Sequence, residues 1–196
     1  YEDVASLIID DNLGGKLFKE TFTDHYENLI NDKDLIKIIE NLKVRQHPMD
    51  VMRTAISYIG QADEKNKLKA ASKVTAIACL VIASYNEESS SQLDAEYTVA
   101  SSLLPNTASN QQHEALDDML ILYAEHGFNA STFAARVTAS TRSDLTSAIV
   151  SGVGTLKGEL HGGANEAAVE LINSFSNPED AEKGVYKLLE EKKKIM

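Results

Sequence analysis

The sequence holds a single cysteine, Cys79, so no internal disulfide can form. That cysteine sits inside the apolar run 76–83, a setting for a buried structural thiol rather than a nucleophile. The run is far shorter than the roughly 18 residues a membrane-spanning helix needs. No secretory leader or Arg-rich transit segment opens the chain, and a reducing cytoplasm is the expected setting. Several chemical motifs are also missing. There is no GxxxxGK[ST] loop, and residues 152–158 miss the GxGxxG spacing and follow a helix rather than a strand, so neither common nucleotide cradle is expected. The histidines at 25, 47, 113, 126 and 161 form no HExxH and have no cysteine partners, which leaves no basis for a metal site. No GxSxG nucleophile elbow occurs.

Positive charge is scarce as well. Nineteen Lys and Arg face 30 Asp and Glu, for a net charge of −11. A general nucleic-acid binder needs a cationic surface that releases counterions from phosphates, so that class is excluded. An anionic small molecule could bind only in a locally positive pocket built from His, Arg and helix N-termini, against the overall field. With 43% hydrophobic and 25% charged residues in 196, the chain has the composition of a folded soluble domain.

What is present is helical spacing. Leu116, Met119, Leu120 and Tyr123 follow the i, i+3, i+4, i+7 pattern, and Leu145, Ile149, Val153 and Leu156 recur at helical intervals. Residues 68–85 become apolar on nearly all sides towards their C-terminal half, which predicts a central helix packed all round. Pro48 opens a predicted helix, Asn177-Pro178 reads as an N-cap followed by proline at the first helical position, and residues 141–144 resemble a capping box. Gly14-Gly15, Pro105-Asn106 and residues 87–91 read as connections. Strand-like alternation is nowhere sustained, so the expected fold is all-α, about ten helices by pattern. Ser147, Ala148, Ser151, Gly152 and Gly154 would let a second helix approach closely, within the subunit or across a dimer.

Two segments could carry chemistry: residues 122–133, with His126, Asn129, Ser131 and Thr132, and residues 158–166, with His161-Gly162-Gly163. The glycines beside His161 would let a substrate approach the backbone and the imidazole. His161 fits that role or that of a helix-terminal histidine at a glycine turn. His126 fits a ligand or a satisfied, partly buried histidine, and Asn129, Ser131 and Thr132 fit an N-capping cluster as well as a binding group.

Both segments, in this order, resemble the signature stretches of the citrate synthase and 2-methylcitrate synthase family. The resemblance extends to residues 46–54 and to Ala135-Arg136-Val137, Ser140-Thr141 and Asp144, and is poorest over 97–110. It implies an all-α, multi-helical enzyme with a large and a small domain, working as a homodimer. Such an enzyme condenses acetyl-CoA or propionyl-CoA with oxaloacetate, using acyl-CoA as substrate and no other cofactor. Residues 1–161 would belong to the large domain and 162–196 would begin the small one, with Gly162-Gly163 near the hinge. His161 matches the family histidine that donates a hydrogen bond to the thioester oxygen, and His126 the one that binds oxaloacetate, with Asn129 and Ser131 supporting that pocket. Arg136 fits packing, the dimer interface or substrate. Two positions depart from many members: Glu159 stands where proline is common and Gly127 where glutamate is common. Glu159 would either raise the His161 pKa or remain a solvated turn carboxylate.

The chain opens on Tyr1 and ends on Ile195-Met196, so both ends read as cuts. The family's second catalytic histidine and its catalytic aspartate are not in these 196 residues. The competing expectation is a non-catalytic helical interaction module of the same fold. By itself the chain is expected to release no CoA from acetyl-CoA with oxaloacetate. A thiol-release assay on the purified chain checks this, and turnover above a no-protein control would show that the catalytic groups have been misplaced.

Overall fold

The structure, a computed structural model, describes residues 1–60, 66–86, 98–125, 127–193 and 195. Those residues form eleven α-helices and no strand: α1 (Glu2–Asp10), α2 (Lys16–Ile30), α3 (Lys33–Lys43), α4 (Pro48–Tyr58), α5 (Lys67–Ala83), α6 (Val99–Leu103), α7 (Asn110–Tyr123), α8 (Ala130–Ser140), α9 (Leu145–Leu156), α10 (Gly162–Asn173) and α11 (Pro178–Glu190). The all-α expectation holds. The connection read at 87–91 lies outside the described residues.

Side-chain caps set where the helices begin. Asp32, Asn66, Asn129 and Asn177 each place a side-chain oxygen on a backbone N–H of the first turn. Thr98 and Ser109 form reciprocal capping boxes. Each cap satisfies a donor that the helix itself leaves unpaired, worth typically about 1 kcal/mol. Pro48 and Pro178 occupy first-turn positions as expected. The expected box at 141–144 takes a different form. Asp144 alone caps α9, accepting from Ser147 N–H at 2.9 Å. Arg142 lies at φ 63° just beyond α8, in the left-handed turn between the helices.

The core forms around α5, most of whose apolar residues are buried; the expected all-round packing is incomplete, since Ile82 stays exposed. The α2 residues Phe18, Phe22 and Tyr26 are buried in the same core as Ile77, Leu80 and Val81 of α5, with Val51, Ala55 and Ile56 of α4 also buried there. Polar groups inside are paired: Ser72 Oγ lies 2.9 Å from Thr21 Oγ1, which donates to Leu17 C=O at 2.8 Å. Burial pushes the Cys79 thiol up to about 12, in keeping with an inert structural cysteine.

The second packing unit is α9, which lies against both α8 and α4. Its small residues permit this. A Cβ on Gly152 would stand 3.5 Å from Ser131 C=O and 3.6 Å from Ala135 Cβ of α8, and one on Gly154 would meet Arg53 of α4 at 3.8 Å. The close approach left open by the sequence therefore occurs at least within the chain. By contrast α7, α8, α10 and α11 have no buried residue, and Leu122, Phe133, Ile172 and Tyr186 on them are exposed.

Half-buried His25 on α2 has its pKa pushed below the usual imidazole value, chiefly by burial and next by the positive charge of Lys73 on α5. The unfolded chain therefore takes up the proton first. This site's contribution is complete above the unfolded value of about 6.5 and is lost as pH falls through the lower folded value. Thermal melts at pH 7.5 and 5.5 should show a smaller acid-induced drop in Tm for His25→Gln than for the parent; an equal drop would remove His25 from the acid response.

Candidate active site

A cleft of about 780 Å³ opens where the N-terminal ends of three helices meet. His47, Pro48 and Met49 come from the start of α4, Asn129 and Ser131 from the start of α8, and His161, Gly162 and Gly163 from the start of α10. The packing of α9 between α4 and α8 brings the first two ends together. After α9, a tight turn at 157–161 returns the chain to begin α10 beside them. Helix N-termini carry partial positive charge, so three such ends face a cleft that Lys157 and Glu166 also line.

The α8 end is built by three residues in sequence. Gly127 sits at φ +70°, a conformation glycine adopts freely, and donates its N–H to Glu125 Oε1 at 2.6 Å. Asn129 then caps the helix, its Oδ1 accepting from Thr132 N–H at 2.8 Å. That bond fixes the amide orientation, so the 2.7 Å contact from Ser131 Oγ to the same Oδ1 must use the serine proton. Ser131 can then only accept from His161 Nε2, 3.0 Å away. The relay assigns the neutral His161 ring its proton on Nε2 and its lone pair on Nδ1. Asn129 thus caps α8 and, through Ser131, is linked to His161 in the cleft.

Gly162 and Gly163 line the cleft and also make room for the chain's own turn. A Cβ on Gly162 would collide with Leu156 C=O, and one on Gly163 would stand 3.1 Å from Gly158 C=O. The glycines admit the chain's own turn, which closes through His161 N–H to Gly158 C=O at 2.9 Å and Gly163 N–H to the same oxygen at 3.1 Å. Glu159 is exposed at the outside of this turn. Two further side-chain pairs flank it. Asp50 accepts from Lys157 Nζ at 2.6 Å and from Arg53 Nη2 at 3.0 Å. His47 Nε2 lies 3.2 Å from Glu166 Oε2. The bond from Lys157, ahead of other causes, holds the Asp50 carboxyl below the usual carboxylate range.

Of the residues singled out in the sequence, Asn129, Ser131 and His161 stand together in the cleft. His126 lies outside the described residues. Arg136 does not line the cleft; its guanidinium lies 5.0 Å from the centre of the Phe128 ring. His47, Lys157 and Glu166 were not recognised as site residues, because their partners are 107 and 119 positions away along the chain. Among the described residues no group of three or more His, Cys, Asp or Glu could hold a metal ion, and no helix is long and apolar enough to cross a membrane.

The family model for the citrate synthase C-terminal domain matches residues 1–196. A 2-methylcitrate synthase from Shewanella oneidensis is 35% identical over an alignment covering 100% of this chain and 56% of its own length. A citrate/2-methylcitrate synthase from Bacillus subtilis is 36% identical, covering 100% of this chain and 57% of that protein. The chain thus spans little more than half the length of these relatives. The crystal structure of citrate synthase from Thermotoga maritima matches with a TM-score of 0.78 at 29% identity, over 100% of this chain and 55% of that one. Citrate synthase from Thermoplasma acidophilum, solved as a ternary complex with carboxymethyl coenzyme A and oxaloacetate, shares the fold with a TM-score of 0.83 at 22% identity, over 100% of this chain and 56% of that one.

The relay makes a spectroscopic prediction. In long-range ¹H–¹⁵N spectra of the chain the unprotonated His161 ring should appear as one Nε2–H tautomer, and Ser131→Ala should turn it into a mixture. A parent ring protonated on Nδ1 would reverse the assigned polarity.

Proposed function

The chain belongs to the citrate synthase family, and from that premise we propose that it supplies part of an acyltransferase that joins acetyl-CoA or propionyl-CoA to oxaloacetate, giving citrate or 2-methylcitrate and CoA. The observation that carries this reading is the convergence of three helix N-termini, with His161, on one cleft. Oxaloacetate carries two carboxylates. Each helix end favours such an anion by about 0.3–1 kcal/mol at an exposed site through its partial positive charge. Asn129, Ser131 and His126 are the oxaloacetate-side residues in this reading, and His161 acts on the acyl group.

Condensation needs an enolate at the acyl methyl or methylene carbon, and a positioned N–H beside the developing oxyanion lowers that barrier. In the resting relay the His161 N–H points to Ser131. Turning the Ser131 hydroxyl from Asn129 to Nε2 would let a neutral ring carry its proton on Nδ1 instead, so one serine rotation selects the nitrogen that donates. The base that removes the acyl proton is assigned to the family's aspartate, outside this stretch. Acetyl and propionyl differ by one methylene, a difference worth only about 1–3 kcal/mol in an apolar pocket.

The same reading makes residues 1–161 part of the large domain and 162–196 the start of the small one, with the hinge near Gly162-Gly163. It also makes the protein a cytoplasmic homodimer that needs no cofactor beyond its acyl-CoA substrate. Leu122, Phe133 and Val137, and Val169, Ile172, Tyr186 and Leu189, are exposed on α7, α8, α10 and α11. Burial against a second copy and against the rest of the protein would remove these apolar side chains from water.

The test is kinetic. In the whole protein, His161→Ala should lower kcat by roughly 10²- to 10³-fold, the cost of one oxyanion donor, with little change in Tm. An unchanged kcat, or a loss traced to unfolding, would sink the assignment of His161.

A further inference from the structure

The first turn of α4 reaches both flanks of the turn that carries His161. On the entry side Asp50 Oδ2 holds Lys157, four residues before the histidine, while Asp50 Oδ1 holds Arg53 of its own helix. On the exit side His47 holds Glu166, five residues after it. The polarity of this second contact follows from the cap of α4. His47 Nδ1 accepts from Met49 N–H at 3.1 Å, so a neutral ring carries its proton on Nε2 and donates it to Glu166. The contact therefore needs no charged imidazole.

The backbone bonds from Gly158 N–H to Thr155 C=O, from His161 N–H to Gly158 C=O and from Gly163 N–H to Gly158 C=O are all internal to the turn or to the end of α9. They fix its shape, and Lys157 N–H to Val153 C=O at 3.2 Å ties its entry to the end of α9. The bonds that run from it to the other cleft walls are made by side chains: His161 to Ser131, Lys157 to Asp50 and Glu166 to His47.

We propose that His47 and Asp50 are positioning residues for the reaction: with Glu166 and Lys157 they clamp the His161 turn at two points and so set where the imidazole stands in the cleft. The proposal rests on the synthase reading of the same cleft. Exposed ion pairs of this kind add little to global stability, whereas a displacement of about 1 Å at a reacting group can cost 10²-fold in rate. The clamp therefore acts on kcat and not on folding.

Five variants of the whole protein test it: Asp50→Asn, Lys157→Met, Lys157→Arg, Glu166→Ala and His47→Asn. Asparagine keeps a capping oxygen for α4 but is too short to hold Glu166. Asp50→Asn, Lys157→Met, Glu166→Ala and His47→Asn should each lower kcat about tenfold. KM for oxaloacetate and for acyl-CoA should move less than about threefold, and Tm by no more than a few degrees. Lys157→Arg, which keeps the charge, should retain most of kcat. The Asp50→Asn/Lys157→Met double variant should be no worse than its worse single, the signature of coupled partners. The ¹⁵N signals of His161 should shift in Asp50→Asn and His47→Asn. An unchanged kcat, losses that multiply in the double variant, or a loss confined to Tm overturns the clamp. If the parent protein itself does not turn over, the synthase reading fails separately. The clamp then stands or falls on whether the His161 signals move.

Discussion

Three helix N-termini meeting at one point form the constraint on which the site depends, and α9 makes their meeting possible. Each end carries roughly half an elementary positive charge, and like ends do not gather without being held. The holding comes from packing. Ala148 on α9 is buried, and Gly152 and Gly154 on the same helix let α8 and α4 lie close to it. Glycine within a helix costs roughly 1 kcal/mol against alanine, a cost that close contact on two sides offsets. The result gathers the partial positive charge of three helix ends in a chain of net charge −11.

Helix number and type were legible because period and caps agreed. Pro48 and the Asn177-Pro178 pair marked starts that the structure keeps, and the all-round apolar character of α5 marked the centre of the core. The misreading at 141–144 has a physical cause. A capping box needs its first residue in extended backbone beside a helix start, yet Thr141 still has the helical backbone of the α8 C-cap, Arg142 takes the left-handed conformation, and the first extended cap is Asp144. A sequence pattern shows which side chains could cap, and the turn geometry chooses among them.

The site was legible in a different way. Asn129, Ser131 and His161 were named through family likeness. Local chemistry had left each between a structural and a functional role, and the relay shows why it could not choose. Asn129 Oδ1 caps α8 and, through the same oxygen, dictates which nitrogen of His161 is protonated. The glycines after His161 were ambiguous for a related reason. Their presence says that a Cβ is not tolerated; it does not say whether a substrate or the chain itself takes the space, and here the chain's own turn takes it. The pairs Asp50–Lys157 and His47–Glu166 had no local signature at all, since neither residue type nor spacing announces a partner more than a hundred positions away.

The packing also divides the cleft into two kinds of wall. The α4 and α8 side is braced by α9, and Val51, Ala55 and Ile56 tie α4 into the main core. The α10 side has no buried residue of its own; it is held by the backbone bond from Gly163 to Gly158 and by side-chain bonds at His161 and Glu166. A wall rooted in a close-packed interior keeps its shape, because interiors resist even small volume changes. A wall attached by individual hydrogen bonds can exchange those bonds for others at little net cost. Placing His161 where the two kinds of wall meet lets its ring nitrogens be set by bonds that can rearrange, while the ends of α4 and α8 beside it stay fixed.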